Sequence, residues 1–176
     1  MEQSKTSRTK IAGFVMMALL VLIDQLTKYW AANNLKAASI PVIKGVFELA
    51  YVENRGAAFG IMQNANFFFL AVTLIMLAVI VGVLRRIPDV KKYRMFTLSL
   101  FVLMAGAVGN ILDRMMNGYV VDFLYFSLIN FPVFNVADIC VVCSVILLII
   151  LMLFVYRGED DLAFLKPEKP QEENKK

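Results

Sequence analysis

Two aspartates, Asp122 and Asp138, are the residues of this chain whose type and spacing invite chemistry. They sit in Gly118-Tyr119-Val120-Val121-Asp122-Phe123 and, after an apolar run, in Phe134-Asn135-Val136-Ala137-Asp138. Asp138 stands directly before eighteen uncharged residues, Ile139 to Tyr156. A carboxylate in that position is costly unless it is paired, hydrated or neutralised. Sixteen positions separate the two, enough for the connection to fold back. Two close carboxylates cannot easily both ionise, so they share one proton. The ionised member can then deprotonate a water while the protonated member polarises a carbonyl. Spacing alone leaves three readings level. Each carboxylate could be structural, with Asp138 as the N-cap of the last span. The pair could lie on an ion or proton path. Or the two could be catalytic. A metal site has thin support, since two Asp and an Asn make a poor ligand set.

The chain contains no histidine, which removes Ser-His, Cys-His and zinc-His chemistry together. Acid–base work at neutral pH then falls to Asp, Glu, Lys, Tyr or Cys. Cys140 and Cys143 form C-x-x-C inside the apolar run, where a redox role lacks the exposed, electropositive setting it needs. They read as small packing residues on a membrane helix.

The elements that must position the aspartates are membrane spans. The 176 residues are 60% hydrophobic, more than a soluble domain of this length can hide. Four apolar segments, Ile11 to Trp30, Ala65 to Leu84, Met95 to Leu112 and Ile139 to Tyr156, are each long enough to cross a hydrocarbon core. The basic start followed by a short apolar core also describes a signal peptide, but three further spans favour a retained first helix. Residues 1–157 thus read as one four-span domain, and residues 158–176 as a charged, disordered cytoplasmic tail. The expected fold class is an all-α membrane protein with a small extracytoplasmic β element.

Orientation follows from Lys and Arg. Lys5, Arg8, Lys10, Arg85, Arg86, Lys91, Lys92, Arg94 and Arg157 flank one side, and Lys28, Lys36, Lys44, Arg55 and Arg114 the other. The bias puts both termini in the cytoplasm. The net charge of +4 is modest and clusters beside apolar segments, a pattern of lipid headgroups rather than nucleic acid. With this topology Asp24, Lys28, Asn54, Arg55, Asn110, Asp113, Arg114, Asp122, Asn135 and Asp138 converge on the outer face.

Within the first outer connection, Ile40 to Ile43 and Val46 to Val52 read as strands joined at Lys44-Gly45. The small-residue stretch after Asn54, from Gly56 to Gly60, suggests close backbone approach. Asp24 and Lys28, at i and i+4, read as a structural ion pair beside the site. Gly106 and Gly109 read as tight helix packing, which explains Asn110 and Asp113 less well.

Five blocks in this order resemble the bacterial lipoprotein signal peptidases, the signal peptidase II family. They are Asp24-Gln25-Leu26-Thr27-Lys28, Asn54-Arg55-Gly56-Ala57-Ala58-Phe59, Gly106 to Arg114, Val120-Val121-Asp122-Phe123 and Phe134-Asn135-Val136-Ala137-Asp138. The resemblance runs from the first span to the fourth. It departs at Ala105, where a Gly-Gly pair is common. It implies an aspartyl endopeptidase of the bacterial cytoplasmic membrane that cuts prolipoproteins just before a diacylglyceryl-modified cysteine. Asp122 and Asp138 match the catalytic aspartates. Asn54, Gly56, Asn110, Arg114 and Asn135 match the surroundings of the site, with Asp24 and Lys28 in support. No cofactor or metal is implied. A globomycin-type peptide inhibitor is expected to block the same cleft, and membrane lipids to surround it. The alternative from a different class is a small ion- or proton-coupled transporter. That reading expects inverted repeats or broken helices, and a lipid-linked transferase expects a metal-binding Asp cluster; the sequence has neither signature.

Overall fold

The computed structural model describes residues 3–56, 66–88, 90–158 and 161–165. Four helices among these are long and apolar enough to cross a membrane. In chain order the elements are α1 (Gln3–Asn34), β1 (Ile40–Ile43), β2 (Phe47–Asn54), α2 (Asn66–Arg86), α3 (Arg94–Asn117), β3 (Val120–Tyr125) and α4 (Val136–Ile150). A π turn, Leu151–Val155, continues α4. Helices cover each of the four expected apolar segments, with α1 beginning at Gln3 rather than Ile11 and α3 running on to Asn117 rather than Leu112. Of the small-residue stretch Gly56 to Gly60, only Gly56 lies within the described residues.

Why these segments pack as they do follows from side-chain size. Phe14, Leu19 and Leu22 on α1, Ile75 and Val79 on α2, and Ile146 and Leu153 on the last span are exposed, as suits faces turned to lipid. α3 is the buried helix, against which α1, α2 and α4 all pack. Two glycines admit those neighbours. A Cβ on Gly106 would run into the Ala137 carbonyl and Val141 of α4, and one on Gly109 would lie 2.5 Å from Asp24 Oδ2 of α1. Small residues let helices approach closely in lipid, where packing rather than a hydrophobic force drives association.

Three strands form one antiparallel sheet in the order β1-β2-β3. β1 and β2 are the expected hairpin, with Ile40 opposite Leu49. The third strand is an addition to the sequence reading. Gly118 ends α3 in the left-handed region, φ 79°, and the chain turns at once into β3. There Val52 lies opposite Asp122 and Asn54 opposite Val120. Val120 to Phe123 are all buried, so they lack the alternation that marks a one-sided strand.

Of the tail expected to be disordered, only residues 158 and 161–165 lie within the described residues, and some of these pack on the bundle. Asp161 pairs with Lys92, and its carbonyl accepts a 2.8 Å bond from the Tyr93 hydroxyl. Phe164 meets Tyr93 and Phe96 edge to face. These contacts close the end of the bundle away from the sheet, over a core that includes Leu84, Phe96, Leu100, Leu151 and Tyr156.

Candidate active site

The site is built where β2, β3, α3 and the start of α4 meet. After β3 the chain loops and returns. The amides of Phe123 and Leu124 donate to the Phe134 carbonyl, and the Phe134 amide donates back to the Leu124 carbonyl. This return sets Asn135 beside Asp122. Asn135, fully buried, is the N-cap of α4, and its Oδ1 accepts the Asp138 amide at 2.9 Å. Asp138 Oδ2 accepts the Asn135 amide at 3.1 Å, completing a capping box. The structural reading of Asp138 as the N-cap itself is thereby corrected: Asp138 is the third helical residue, and Asn135 holds the cap.

Asn135 also joins the two aspartates. Its Nδ2 donates to Asp122 Oδ1 at 2.7 Å and to Asn110 Oδ1 at 3.1 Å. Asn110 Nδ2 in turn donates to Asp138 Oδ1 at 2.8 Å. Asn54, at the end of β2, donates to Asp122 Oδ2 at 2.8 Å, and its own Oδ1 accepts the Gly56 amide at 3.0 Å. Each carboxylate is thus held at both oxygens. Asp122 is 2% exposed. Burial, and next the nearby Asp138 charge, push its carboxyl up to about 7, against the pull of the Asn54 and Asn135 hydrogen bonds.

Behind the pair lies a second polar layer. Lys28 pairs with Asp24 at 2.9 Å and Asp113 at 3.1 Å, all three buried. The expected Asp24–Lys28 ion pair is therefore present, with Asp113 as a third member. Asp24 Oδ1 accepts the Ala137 amide at 2.8 Å, and Asp113 Oδ2 accepts the Val121 amide at 3.0 Å. One acid therefore anchors the start of α4 and the other anchors β3. Gln25 ties both acids together, donating to Asp24, Asp113 and the Gly109 carbonyl. Sequence reasoning brings Asp113 to the same face as the pair but gives neither it nor Gln25 a role at the site. The signal for each is its position within a polar block beside apolar sequence.

Asp122 and Asp138 open on a cleft of about 590 Å³, together with Asn54, Gly56 and Arg114. Its remaining walls are mostly apolar, including Phe69, Phe131, Ile139 and Val142. Arg114 lies over the Phe69 ring at 5.3 Å and donates weakly to the Asn110 carbonyl, at 3.4 Å. Cys140 is buried, as packing predicts, but Cys143 is exposed and lines the cleft. Among the described residues no three His, Cys, Asp or Glu side chains are grouped to hold a metal ion.

Four helices long and apolar enough to cross a membrane, with a cleft that α2, α3, α4 and the sheet line and on which two carboxylates open, define a multi-pass membrane protein. Residues 16–154 match the family model described as signal peptidase (SPase) II. The lipoprotein signal peptidase of Caldanaerobacter subterraneus subsp. tengcongensis is 46% identical over 144 residues, 81% of this chain and 96% of that protein. The lipoprotein signal peptidase of Clostridioides difficile is 42% identical over 142 residues, 80% and 93% of the two. A bacterial membrane enzyme solved by the in meso method at 2.3 Å resolution is similar, with a TM-score of 0.72 at 31% identity and coverage of 90% and 93%. The chain belongs to the signal peptidase II family, and by that membership it is a peptidase.

Proposed function

We propose that this peptidase is an aspartic endopeptidase that removes the signal peptide from diacylglyceryl-modified prolipoproteins, cutting before the lipidated cysteine. The observation that carries the reading is the pair Asp122 and Asp138, both opening on one apolar cleft and bridged through Asn135 and Asn110. Asp122 carries the shared proton, in keeping with its deep burial and raised pKa. Asp138 is the ionised member, favoured by its place in the first turn of α4, where the helix dipole and the Asn135 amide stabilise an anion. Asp138 takes a proton from water as its oxygen attacks the scissile carbonyl. Asp122 gives its proton to the carbonyl oxygen. The tetrahedral diol then collapses: Asp138 gives its proton to the departing amine nitrogen, and a diol hydroxyl returns a proton to Asp122 as the carbonyl re-forms.

The cleft suits a lipid-bearing substrate. Ile139 and Val142 line it and are exposed on α4, so acyl chains can stay in the bilayer while the peptide reaches the acids. Arg114 is the cation on the cleft wall and contacts a substrate carbonyl or lipid headgroup oxygen. Asn54 and Gly56 form the sheet side of the cleft. The chain is read as one four-span domain of the bacterial cytoplasmic membrane; the Lys and Arg bias supports cytoplasmic termini, and with them a cleft near the extracytoplasmic face. A globomycin-type peptide would compete for the same space.

The test is cleavage by the purified protein in detergent. A diacylglyceryl-modified prolipoprotein should yield a product beginning at the lipidated cysteine, and the unmodified precursor should be a poor substrate. A chelator should leave the rate unchanged. Failure to cleave the modified precursor overturns the substrate assignment, and chelator sensitivity overturns the two-aspartate mechanism.

A further inference from the structure

The cation behind the site does more than neutralise its two acids. Lys28 Nζ donates to Asn110 Oδ1 at 2.9 Å, and that same oxygen accepts Asn135 Nδ2 at 3.1 Å. With its oxygen committed to two donors, the Asn110 amide can turn only its Nδ2 toward Asp138, which it meets at 2.8 Å. Lys28 is 2% exposed, so its charge is poorly screened by water. The result is a line of polarised groups, ammonium to amide oxygen and amide N–H to carboxylate, running from α1 through α3 to α4.

We propose that Lys28 is a positioning residue for the reaction. Through Asn110 it fixes the amide toward Asp138 and favours the ionised form of that carboxylate. The ammonium does not line the cleft and touches no substrate; it acts through Asn110. Hydrogen bonds that polarise one another in a low-dielectric setting strengthen cooperatively, and the anion at the end of this line is the group that must accept the water proton. The inference rests on the two-aspartate reading above.

The charged and titratable groups around Asp138 act together. They are Asp24 and Lys28 on α1, Asp113 and Arg114 on α3, Asp122 on β3, and Cys140 and Cys143 on α4. β2 contributes the neutral Asn54, and the part of α2 at the cleft contributes Phe69. Lys28 is the cation tied to Asp138 through a single amide, whereas Arg114 reaches only the Asn110 carbonyl.

Removing the ammonium alone would strand Asp24 and Asp113, so two variants are needed. Lys28→Met tests the lysine directly. Lys28→Met with Asp113→Asn removes one positive and one negative charge, so the triad keeps a single net negative charge, on Asp24, whose carboxylate still accepts the Ala137 amide and Gln25. The amide introduced by Asp113→Asn keeps an oxygen that can still accept the Val121 amide. In the double variant kcat should fall about tenfold with KM little changed. The acid limb of the kcat profile should move to higher pH by about half a unit, because Asp138 ionises less readily without the relay. Lys28→Arg should recover part of the rate and the pH position. A double variant that is as stable as the parent, or more so, yet shows the parent's pH profile overturns the proposal. So does a loss of activity that tracks loss of folded protein with no pH displacement. Asp122→Asn and Asp138→Asn are measured alongside: if either stays active the two-aspartate reading itself fails, whereas inactive aspartate variants with an unmoved Lys28 profile sink only the relay.

Discussion

At the scale of residues, the site turns on how two neighbouring acids, Asp122 buried and Asp138 half-buried, are kept apart in charge. The Asp122 carboxyl, raised from 3.8 to about 7, binds its proton more tightly folded than unfolded. Between those two pH values the folded state holds more protons than the unfolded state, so this group's stabilising contribution is fully present below 3.8 and lost as pH rises toward about 7. Asp122→Asn should flatten that part of the stability profile, measured by thermal unfolding in detergent across the same range. Activity should carry a matching mark. If Asp122 must be protonated to assist the carbonyl, kcat/KM declines as pH rises through about 7. Asn135→Ala removes the amide that joins both acids and the cap of α4 together, so it should cost at least about tenfold in rate and about 1 kcal/mol in stability. Cys143→Ala should be nearly silent in the same rate assay, since the thiol lines the cleft without bonding to either acid. Much of this is legible in the sequence. The acids and their Asn and Arg neighbours stand out because polar groups beside apolar runs are costly. The capping box does not, because Asn135 and Asp138 are at a spacing that fits either residue as cap until the backbone is seen.

At the scale of elements, glycines and one strand decide whether those residues meet. Gly109→Ala would press a methyl onto Asp24 Oδ2, and Asp24 anchors the start of α4 through the Ala137 amide. Overpacking of this kind costs about 1–3 kcal/mol, and the movement it forces should also reduce cleavage; thermal unfolding and initial rates on the same sample check both. The four helices are readable from length and hydropathy, and the β1–β2 hairpin from its turn. β3 is not. Its partner β2 lies far upstream, and its run of buried residues shows no period-2 pattern. Asp122 therefore gains its position from a pairing that local sequence does not announce, with Val52 opposite it and the Asp113 carboxylate holding the amide of the preceding residue.

At the scale of the whole molecule, the chain has two ends with different work. One end carries the sheet, the cleft and the polar layers. The other is closed by an aromatic cluster of Tyr93, Phe96, Tyr156 and Phe164, locked by the Lys92–Asp161 pair. Phe164→Ala should lower stability by about 1–3 kcal/mol, less than a fully buried Phe, with kcat unchanged. Charge in the tail suggests disorder, and the sequence offers no way to see that Phe164 finds Tyr93 and Phe96. At the sheet end, two acids from β3 and α4 are proposed to act as one catalytic unit. The most direct measurement is the initial rate of cleavage of a diacylglyceryl-modified prolipoprotein by purified Asp122→Asn and Asp138→Asn proteins, with folding verified by thermal unfolding in the same detergent. Both variants should stay folded and lose cleavage essentially completely. A folded variant of either aspartate that cleaves at the parent rate would contradict the claim.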